Sequence, residues 1–191
     1  AGRLVLGFAD GAPALAGTWV MGLPVLATGN ADAIALARAE GAEIVLALGD
    51  NALRARVLAE LDAAGVVAGT VVHPRATISP AATLGAGTVV FAGAVVNPGA
   101  RIGRNVILNT CASVDHDADI GDHAHLSPRV VLGGTVTVGE GTHLGVGVSV
   151  RNNVTIGAWS LVGVGAAVVT DLPGGVVAFG VPARIARAQA T

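Results

Sequence analysis

The sequence has 191 residues, enough for one or two domains, and 52% of them are hydrophobic while only 13% are charged. A formal net charge of −2 excludes the basic surface that binding to nucleic acid or to an acidic membrane requires. No run of about twenty uninterrupted apolar residues occurs, so no membrane-spanning helix is predicted. A lone cysteine, Cys111, and the lack of a visible signal peptide favour a cytoplasmic protein.

The first seventy residues alternate between strand-like and helix-like segments. In chain order the predicted segments are strand 3–8, strand 23–26, helix 31–40, strand 43–48, helix 52–64 and strand 66–72. Asn30 is a candidate N-cap of the first helix, and Gly41 and Gly65 are candidate C-terminal stops. This alternation predicts an α/β domain with a small parallel sheet over residues 1–70.

From Val72 to Val168, every sixth residue is Ile, Leu or Val, without a slip in register. A six-residue period is typical of a parallel β-helix, because no single repeat can bury its aliphatic side chain alone. Three hexapeptides close one triangular coil, so residues eighteen apart stack at a spacing of about 4.8 Å. A β-sandwich would instead show a period of two. The second domain is predicted over 71–191, with a strand at 176–179 and a short helical tail.

Four motifs stand out from this pattern. They are Ala-Leu-Gly-Asp-Asn at 47–51, Asn-Thr-Cys-Ala-Ser-Val-Asp-His-Asp at 109–117, Ile-Gly-Asp-His-Ala-His-Leu-Ser-Pro at 120–128 and Gly-Val-Pro-Ala-Arg at 180–184. In the second motif His116 falls at or near a corner and lies between Asp115 and Asp117. The residues alone leave two interpretations open, an oriented general base or a solvated corner.

With these motifs the whole chain resembles the left-handed β-helix (hexapeptide-repeat) sugar acyltransferases, which join a small Rossmann-like domain to a hexapeptide prism. The family includes N-acetyltransferases of nucleotide-linked amino sugars and sialic acid O-acetyltransferases. The resemblance implies acetyl-CoA as co-substrate, no metal and a homotrimer with sites between subunits, acting in polysaccharide or glycan synthesis. We expect N-acetylation of a UDP- or GDP-linked amino sugar, with sugar O-acetylation as the alternative, because one base serves both.

The resemblance also implies a segment ahead of this sequence. In the family a strand and a Gly-rich turn containing a His open the Rossmann-like domain and contact the nucleotide-sugar. This sequence begins with Ala at what looks like the second strand. We therefore expect an incomplete acceptor pocket, and weak nucleotide-sugar binding if that segment belongs to the native protein.

The resemblance assigns the catalytic pair to His116, as general base, and Asp117, as the carboxylate that orients it. Asn109 lies near the active site in the family, although an asparagine ladder along the prism is an equal alternative. His125 corresponds to the His that contacts acetyl-CoA. Gly134, one coil above His116, could offer its N–H to the oxyanion or simply serve a corner. The pantetheine arm would pass backbone groups near Val146 and Val164.

The N-terminal domain supplies further candidates for substrate binding. Asp10 follows a strand end and could bind a ribose or a base edge, or simply form a turn. Gly49, Asp50 and Asn51 are predicted at the carboxyl end of a strand, where open α/β sheets bind ligands, but they could equally form a plain N-cap.

Two alternatives to an acyltransferase are a zinc enzyme on the same fold and a non-catalytic scaffold. A β-helical carbonic anhydrase needs three His on zinc, and the third position is filled by Pro80 or Val89. A non-catalytic scaffold would make the Asp-His-Asp motif incidental. His143, eighteen residues after His125, is predicted to stack on it at the surface, and His123 is predicted to be solvated. Cys111 is predicted to be a small packing residue and not a nucleophile.

Overall fold

The computed structural model describes residues 3–189, which divide into two compact units. The first unit comprises the described residues up to Ile44 together with Arg56–Ala68. The second comprises Val45–Ala55 together with the described residues from Gly69 onward. This division differs from a single boundary near residue 70, because residues 45–55 pack with the second unit.

The first unit contains a three-stranded sheet and helical segments. Its strands are β1 (Phe8–Ala9), β2 (Trp19–Val20) and β3 (Leu23–Ala27), its helix is α1 (Asn30–Glu40), and a 3₁₀ turn covers Pro13–Leu15. The strand order is β1-β3-β2, with β1 parallel and β2 antiparallel to β3. A second helix, α2, spans Asn51–Ala64 and belongs to this unit from Arg56 onward.

Several predictions for this region need correction. The predicted buried strand over 3–8 pairs only through Phe8–Ala9, and Leu4 is 85% exposed. A continuous apolar run does not reveal whether a strand is central or lies at an edge, which explains the error. Residues 43–48 and 66–70 form a single bridge, between Ile44 and Ala68, instead of strands.

The helix boundaries are closer to prediction. Asn30 is the first helical residue and not the cap: Gly29 occupies the cap position, and the Asn30 amide donates to Glu60 at 2.8 Å. Gly41 closes α1 in the left-handed region at φ 61°, as predicted, because only glycine adopts that conformation without a steric penalty.

The second unit is a left-handed parallel β-helix built from seventeen two-residue strands. They are β4 Val71–Val72, β5 Thr77–Ile78, β6 Thr83–Leu84, β7 Val89–Val90, β8 Val95–Val96, β9 Arg101–Ile102, β10 Ile107–Leu108, β11 Ser113–Val114, β12 Asp119–Ile120, β13 His125–Leu126, β14 Val131–Leu132, β15 Thr137–Val138, β16 His143–Leu144, β17 Ser149–Val150, β18 Thr155–Ile156, β19 Leu161–Val162 and β20 Ala167–Val168. The second residue of each strand is the predicted aliphatic position, so the predicted fold class is confirmed.

Three sheets form the sides of the prism, and neighbouring strands pair parallel at a register of eighteen residues, as in Leu108↔Leu126. The side that carries the predicted His125 is the β4-β7-β10-β13-β16-β19 sheet, called here the histidine face. The other sides are β5-β8-β11-β14-β17-β20 and β6-β9-β12-β15-β18. From Val90 onward the aliphatic positions are buried in one continuous core.

The chain leaves the prism through two further strands, β21 (Val176–Phe179) and β22 (Arg184–Ala188). β21 extends the histidine face beside β19, and β22 pairs antiparallel with β21. The predicted helical tail is therefore wrong, because the tail finds unpaired backbone groups at the edge of β21. Across residues 3–189, neither helix has the length and apolar character needed to cross a membrane.

Candidate active site

His116 and Asp117 occupy the corner between β11 and β12. Nδ1 of His116 lies 2.9 Å from Oδ2 of Asp117, so the carboxylate fixes the tautomer with its proton on Nδ1. This leaves the Nε2 lone pair free to accept a proton. The His116 side chain is 55% exposed, so a substrate can reach the ring from solvent. The corner is solvated, and yet it carries the geometry of an oriented base.

The surrounding charges raise the pKa of His116. The hydrogen bond to Asp117 contributes most. Desolvation is the next largest effect and opposes it, and the negative charges of Asp115 and Asp117 each add a smaller increase. A raised pKa makes the neutral imidazole a stronger base once its proton has left.

Glycines on the adjacent coils flank this pair. A β-carbon on Gly134, one coil above, would lie 2.5 Å from Nε2 and 2.6 Å from Cε1 of His116. A β-carbon on Gly99, one coil below, would collide with the carboxylate of Asp117. The ring and the carboxylate therefore occupy space that any other residue at these two positions would fill.

Asn109 and two histidines form a second cluster on the histidine face. The rings of His125 and His143 stack in parallel, with centroids 4.6 Å apart and an interplanar angle of 6°. Nε2 of His125 faces the amide nitrogen of Asn109 at 3.3 Å, and Nε2 of His143 lies 2.9 Å from Oγ of Ser127. The predicted stacking of His143 on His125 is confirmed, but His143 is half-buried and hydrogen-bonded, which corrects its prediction as a surface residue.

The cluster is held neutral. Burial, and to a lesser extent the nearby His143 and Arg54, lower the pKa of His125 to about 4. Burial also lowers the pKa of His143. Because the Asn109 amide donates to Nε2, the neutral His125 carries its proton on Nδ1. His125 therefore presents an N–H donor beside the backbone of Gly49, whose hydrogen bonding opposes the lowering of the His125 pKa.

A cavity of about 240 Å³ adjoins this donor. Its wall is mostly apolar and is formed by Val45, Leu46, Ala47, Leu48, Gly49, Val89, Phe91, Ile107, Asn109 and His125. A small apolar cavity with two polar side chains on its wall suits part of a small-molecule ligand.

Arg54, which the sequence did not single out, fixes one wall of the cavity. Its side chain is buried, with the residue 1% exposed, and burial lowers its pKa to about 10. The guanidinium donates to the carbonyl of Leu48 at 2.9 Å, of Asn105 at 3.2 Å and of His123 at 2.7 Å. These bonds tie residues 45–55 to the prism. An arginine in an apparently amphipathic helix gives no sequence signal of such burial.

His123 is also tied into this region, so its prediction as a surface residue needs correction. Its Nδ1 accepts a hydrogen bond from the Asn105 amide at 2.8 Å, and burial lowers its pKa. Cys111, by contrast, is exposed at a corner and is not a packing residue. The sequence period indicates which residues stack but not how deep a corner residue lies.

Val146 and Val164 occupy successive corners that follow the histidine face, and they are 45% and 75% exposed. Beside them Gly147 and Gly165 have φ values of 70° and 68°, and a β-carbon on either would meet open space. The backbone is thus accessible along this edge of the prism, as the predicted path of a pantetheine arm requires.

The candidate substrate residues near the chain's start have local partners. Oδ1 of Asp10 accepts the Ala12 N–H at 2.8 Å, and Oδ1 of Asp50 accepts the Leu53 N–H at 2.7 Å, as a helix N-cap does. Asn51 is buried and donates to the Gly141 carbonyl at 3.0 Å. Gly49 lines the cavity described above. The contact of Asp10 is thus that of a turn residue, and the contact of Asp50 is that of an N-cap.

The predicted residues therefore fall in distinct places within the second unit. One corner brings together His116, Asp117 and Gly134. The wall of the cavity contains Asn109, His125 and Gly49. The corners that follow the histidine face carry Val146 and Val164. Asp10 belongs to the first unit. Within residues 3–189, no three His, Cys, Asp or Glu side chains converge as a metal site would require.

Comparison with solved structures decides the family. The acetyltransferase domain of PglB from Neisseria gonorrhoeae is 36% identical, with a TM-score of 0.81 over 87% of this chain and 80% of its own. The perosamine N-acetyltransferase from Caulobacter crescentus is 42% identical, with a TM-score of 0.83 over 87% of this chain and 79% of its own. The chain belongs to the hexapeptide-repeat sugar N-acetyltransferases. As a member of this family it is an enzyme, an acyltransferase.

A third structure extends the match. WeeI from Acinetobacter baumannii is 27% identical, with a TM-score of 0.86. The match covers 94% of the chain described here and 84% of the WeeI chain. No protein-family model and no curated protein matches the sequence. The PglB domain is described in complex with acetyl coenzyme A, and the Caulobacter enzyme with CoA and GDP-perosamine. The family resemblance drawn from the motifs is confirmed.

Proposed function

We propose that this enzyme transfers the acetyl group of acetyl-CoA to the amino group of a nucleotide-linked 4-amino sugar, with His116 as the general base. The observation that carries the proposal is the oriented pair at the β11–β12 corner, His116 Nδ1 bonded to Asp117 at 2.9 Å with Nε2 free. The ligands described for the related enzymes, acetyl coenzyme A and GDP-perosamine, support the two substrates.

The chemistry needs only this base and a donor for the oxyanion. The sugar nitrogen attacks the thioester carbonyl directly while Nε2 of His116 takes the amine proton, so a C–N bond forms without an acyl-enzyme. The tetrahedral intermediate then collapses as the C–S bond breaks, and the imidazolium returns the proton to the CoA thiolate. Asp117 stabilises the imidazolium between the two steps. The Gly134 backbone, beside the ring, is the candidate oxyanion donor.

The remaining site residues follow from the family resemblance and from their positions in the chain. We assign the acetyl-CoA arm to the corner of Val146 and Val164, with His125 as a further contact, and the sugar nucleotide to Gly49, Asp50, Asn51 and Asn109. Asp10, in the first unit, is a separate candidate for binding a ribose or a base edge. One convex prism cannot enclose a long thin arm. A homotrimer with sites between subunits is therefore part of the proposal, and it is supported by the exposed apolar side chains of Val131, Val146 and Val164.

The test is a thiol-release assay with acetyl-CoA against GDP-perosamine, a UDP-linked 4-amino sugar and a sialic acid. We expect turnover with a nucleotide-linked amino sugar, lost by on the order of 100-fold or more in His116→Ala. His73→Ala provides the matched control, since His73 is an exposed corner histidine of the same prism. Sedimentation of the wild-type protein tests the trimer.

The other outcomes are equally informative. Turnover with the sialic acid alone would replace N-acetylation by O-acetylation at the same base. Full activity of His116→Ala would remove His116 from the mechanism. Binding of acetyl-CoA without turnover of any acceptor would contradict the proposed acceptor class.

A further inference from the structure

Asp115, the residue before the proposed base, makes two hydrogen bonds through one oxygen. Its Oδ1 accepts the backbone N–H of His116 at 2.7 Å and the side-chain amide of Asn97 at 2.8 Å. Asn97 lies eighteen residues earlier, directly below Asp115 on the preceding coil. These bonds, together with an additional contribution from the His116 charge, lower the pKa of Asp115, so it remains a carboxylate at neutral pH.

The coil above the base contacts this corner through its backbone, where the Thr135 N–H donates to the His116 carbonyl at 2.9 Å. Gly133 and Gly134 stack over Asp115 and His116, and neither has a side chain that could hold the corner. Asp117 bonds only the ring of His116, not its backbone. The Pro98 carbonyl on the coil below accepts the Asp117 N–H at 3.1 Å, so the backbone on either side of the base has partners on both coils. The N–H of His116 itself is held by Asp115, and Asp115 by Asn97.

We propose that Asp115, tethered by Asn97, is a positioning residue for His116: it holds the backbone N–H of the base while Asp117 holds its ring. This inference rests on the proposed role of His116 as the general base. When both the backbone and the ring of His116 are fixed, Nε2 has one position relative to the acceptor amine. A large part of the rate enhancement by a general base depends on such placement.

Charge is the second contribution of Asp115. The groups that face the imidazole are the carboxylates of Asp115 and Asp117 on its own corner and uncharged glycines on the coil above. On the coil below, Arg101 pairs with Asp119 at 2.7 Å and interacts with Asp117. Removal of the Asp115 charge therefore lowers the pKa of His116. Removal of the Asn97 side chain leaves the charges unchanged but removes the hydrogen bond that holds Asp115 in place.

Two substitutions separate these effects. Asp115→Asn keeps an oxygen that can accept both hydrogen bonds but removes the charge, and Asn97→Ala keeps the charge but removes the tether. Asp122→Asn is the matched control, because Asp122 also accepts a backbone N–H, that of Arg104 at 2.7 Å, at a different corner. The assays are acetyl transfer to GDP-perosamine, acetyl-CoA binding by calorimetry and NMR titration of the His116 ring, which needs no turnover.

For Asn97→Ala we expect kcat to fall roughly tenfold, with the Kd for acetyl-CoA unchanged. For Asp115→Asn we expect the His116 titration and the acidic limb of the activity profile to move to lower pH, because the Asp115 charge helps to raise the pKa of His116. Asp122→Asn should match wild type in all three assays. These results together would establish the positioning role.

Two results would overturn it. Values of kcat within twofold of wild type and an unmoved His116 titration in both variants, beside an inactive His116→Ala, would refute this inference while leaving the proposed function intact. An equal loss in Asp122→Asn would show a general effect of corner carboxylates. Full activity of His116→Ala would instead defeat the proposed function, and this inference with it.

Discussion

A β-carbon on Gly134 would lie 2.5 Å from Nε2 of His116, closer than two such atoms can approach. The space over Gly134 is therefore filled by the imidazole of the proposed base. In Gly134→Ala the ring must move, since it is the freer of the two partners. We expect kcat to fall on the order of 100-fold, because displacement of a reacting group by about 1 Å has an effect of that size.

The matched control is Gly29→Ala, in the first unit. A β-carbon there meets nothing within 4 Å, and φ is −176°, which any residue adopts. Both variants should show wild-type circular dichroism, with kinetics separating them. An active Gly134→Ala would mean that the ring position seen here is not the one used in acetyl transfer.

The acid side of the pH profile tests Asp117. Its hydrogen bond is the largest contribution to the raised pKa of His116, and the base must be neutral to accept a proton. Wild-type kcat should therefore fall as pH drops through a pKa above the ordinary imidazole value of about 6.5. In Asp117→Asn the limb moves to lower pH, and kcat at the plateau falls because the ring loses its orientation.

The measurement is kcat against pH from 5 to 9 for the wild type, Asp117→Asn and a control variant. Asp119→Asn is a suitable control, because Asp119 is close in sequence but bonds Arg101 and not His116. A limb that stays in place in Asp117→Asn would assign the titration to another group.

The aliphatic period predicted the prism well because burial acts on every sixth residue alike. One rule, repeated from Val72 to Val168, fixes strand position, register and inward face together. The N-terminal strands were predicted less well. Residues 3–8 and 43–48 carry an apolar run without any periodicity that distinguishes an exposed edge from a buried strand, and only tertiary packing decides between them.

The site was predictable where its residues form a local motif. His116 and Asp117 are adjacent, and a spacing of eighteen brings Gly134 to the same corner. The same spacing would have identified Asn97 beneath Asp115. Arg54 could not be found in this way, because its partners are the carbonyls of Leu48, Asn105 and His123, and backbone groups leave no mark in the sequence.

The core of the prism supplies a stability test. Leu126, on β13, is fully buried, whereas Thr137, on β15, points outward and is exposed. Leu126→Ala should lower the free energy of unfolding by about 2–5 kcal/mol, and Thr137→Ala by less than about 1 kcal/mol. Urea denaturation followed by circular dichroism measures both. Similar losses at the two positions would contradict the inward assignment of the period-six residues.

Arg54 offers a second test of stability, with Arg56 two residues later on the same helix as its control. Arg54→Met leaves three carbonyls without their donor, one buried and two half-buried, whereas Arg56 is exposed. Each lost bond to a buried group costs about 1–3 kcal/mol, so we expect Arg54→Met to be destabilised by about 3 kcal/mol or more. Arg56→Met should unfold at the wild-type urea concentration. Equal midpoints would show that the guanidinium does not hold residues 45–55.

His125 makes the folded state sensitive to acid. Its folded pKa is about 4, below the value of about 6.5 expected for the unfolded chain, so between these pH values the unfolded state binds the additional proton. Stability must therefore decrease as pH falls from 6.5 toward 4. In His125→Gln this dependence should become shallower, and what remains comes from His123 and His143, whose pKa values burial also lowers.

Urea unfolding of wild type and His125→Gln at several pH values between 4 and 7.5 measures the difference, and His73→Gln, an exposed histidine, controls for the loss of an imidazole. The wild-type curve should fall more steeply than the His125→Gln curve as pH drops from 6.5 toward 4, because the His125 imidazole takes up its proton more readily in the unfolded chain. Parallel curves across the whole range would mean that folding does not lower the pKa of His125. The ring would then be protonated in the folded protein at the acid end of the range, where Nε2 could not accept the Asn109 amide.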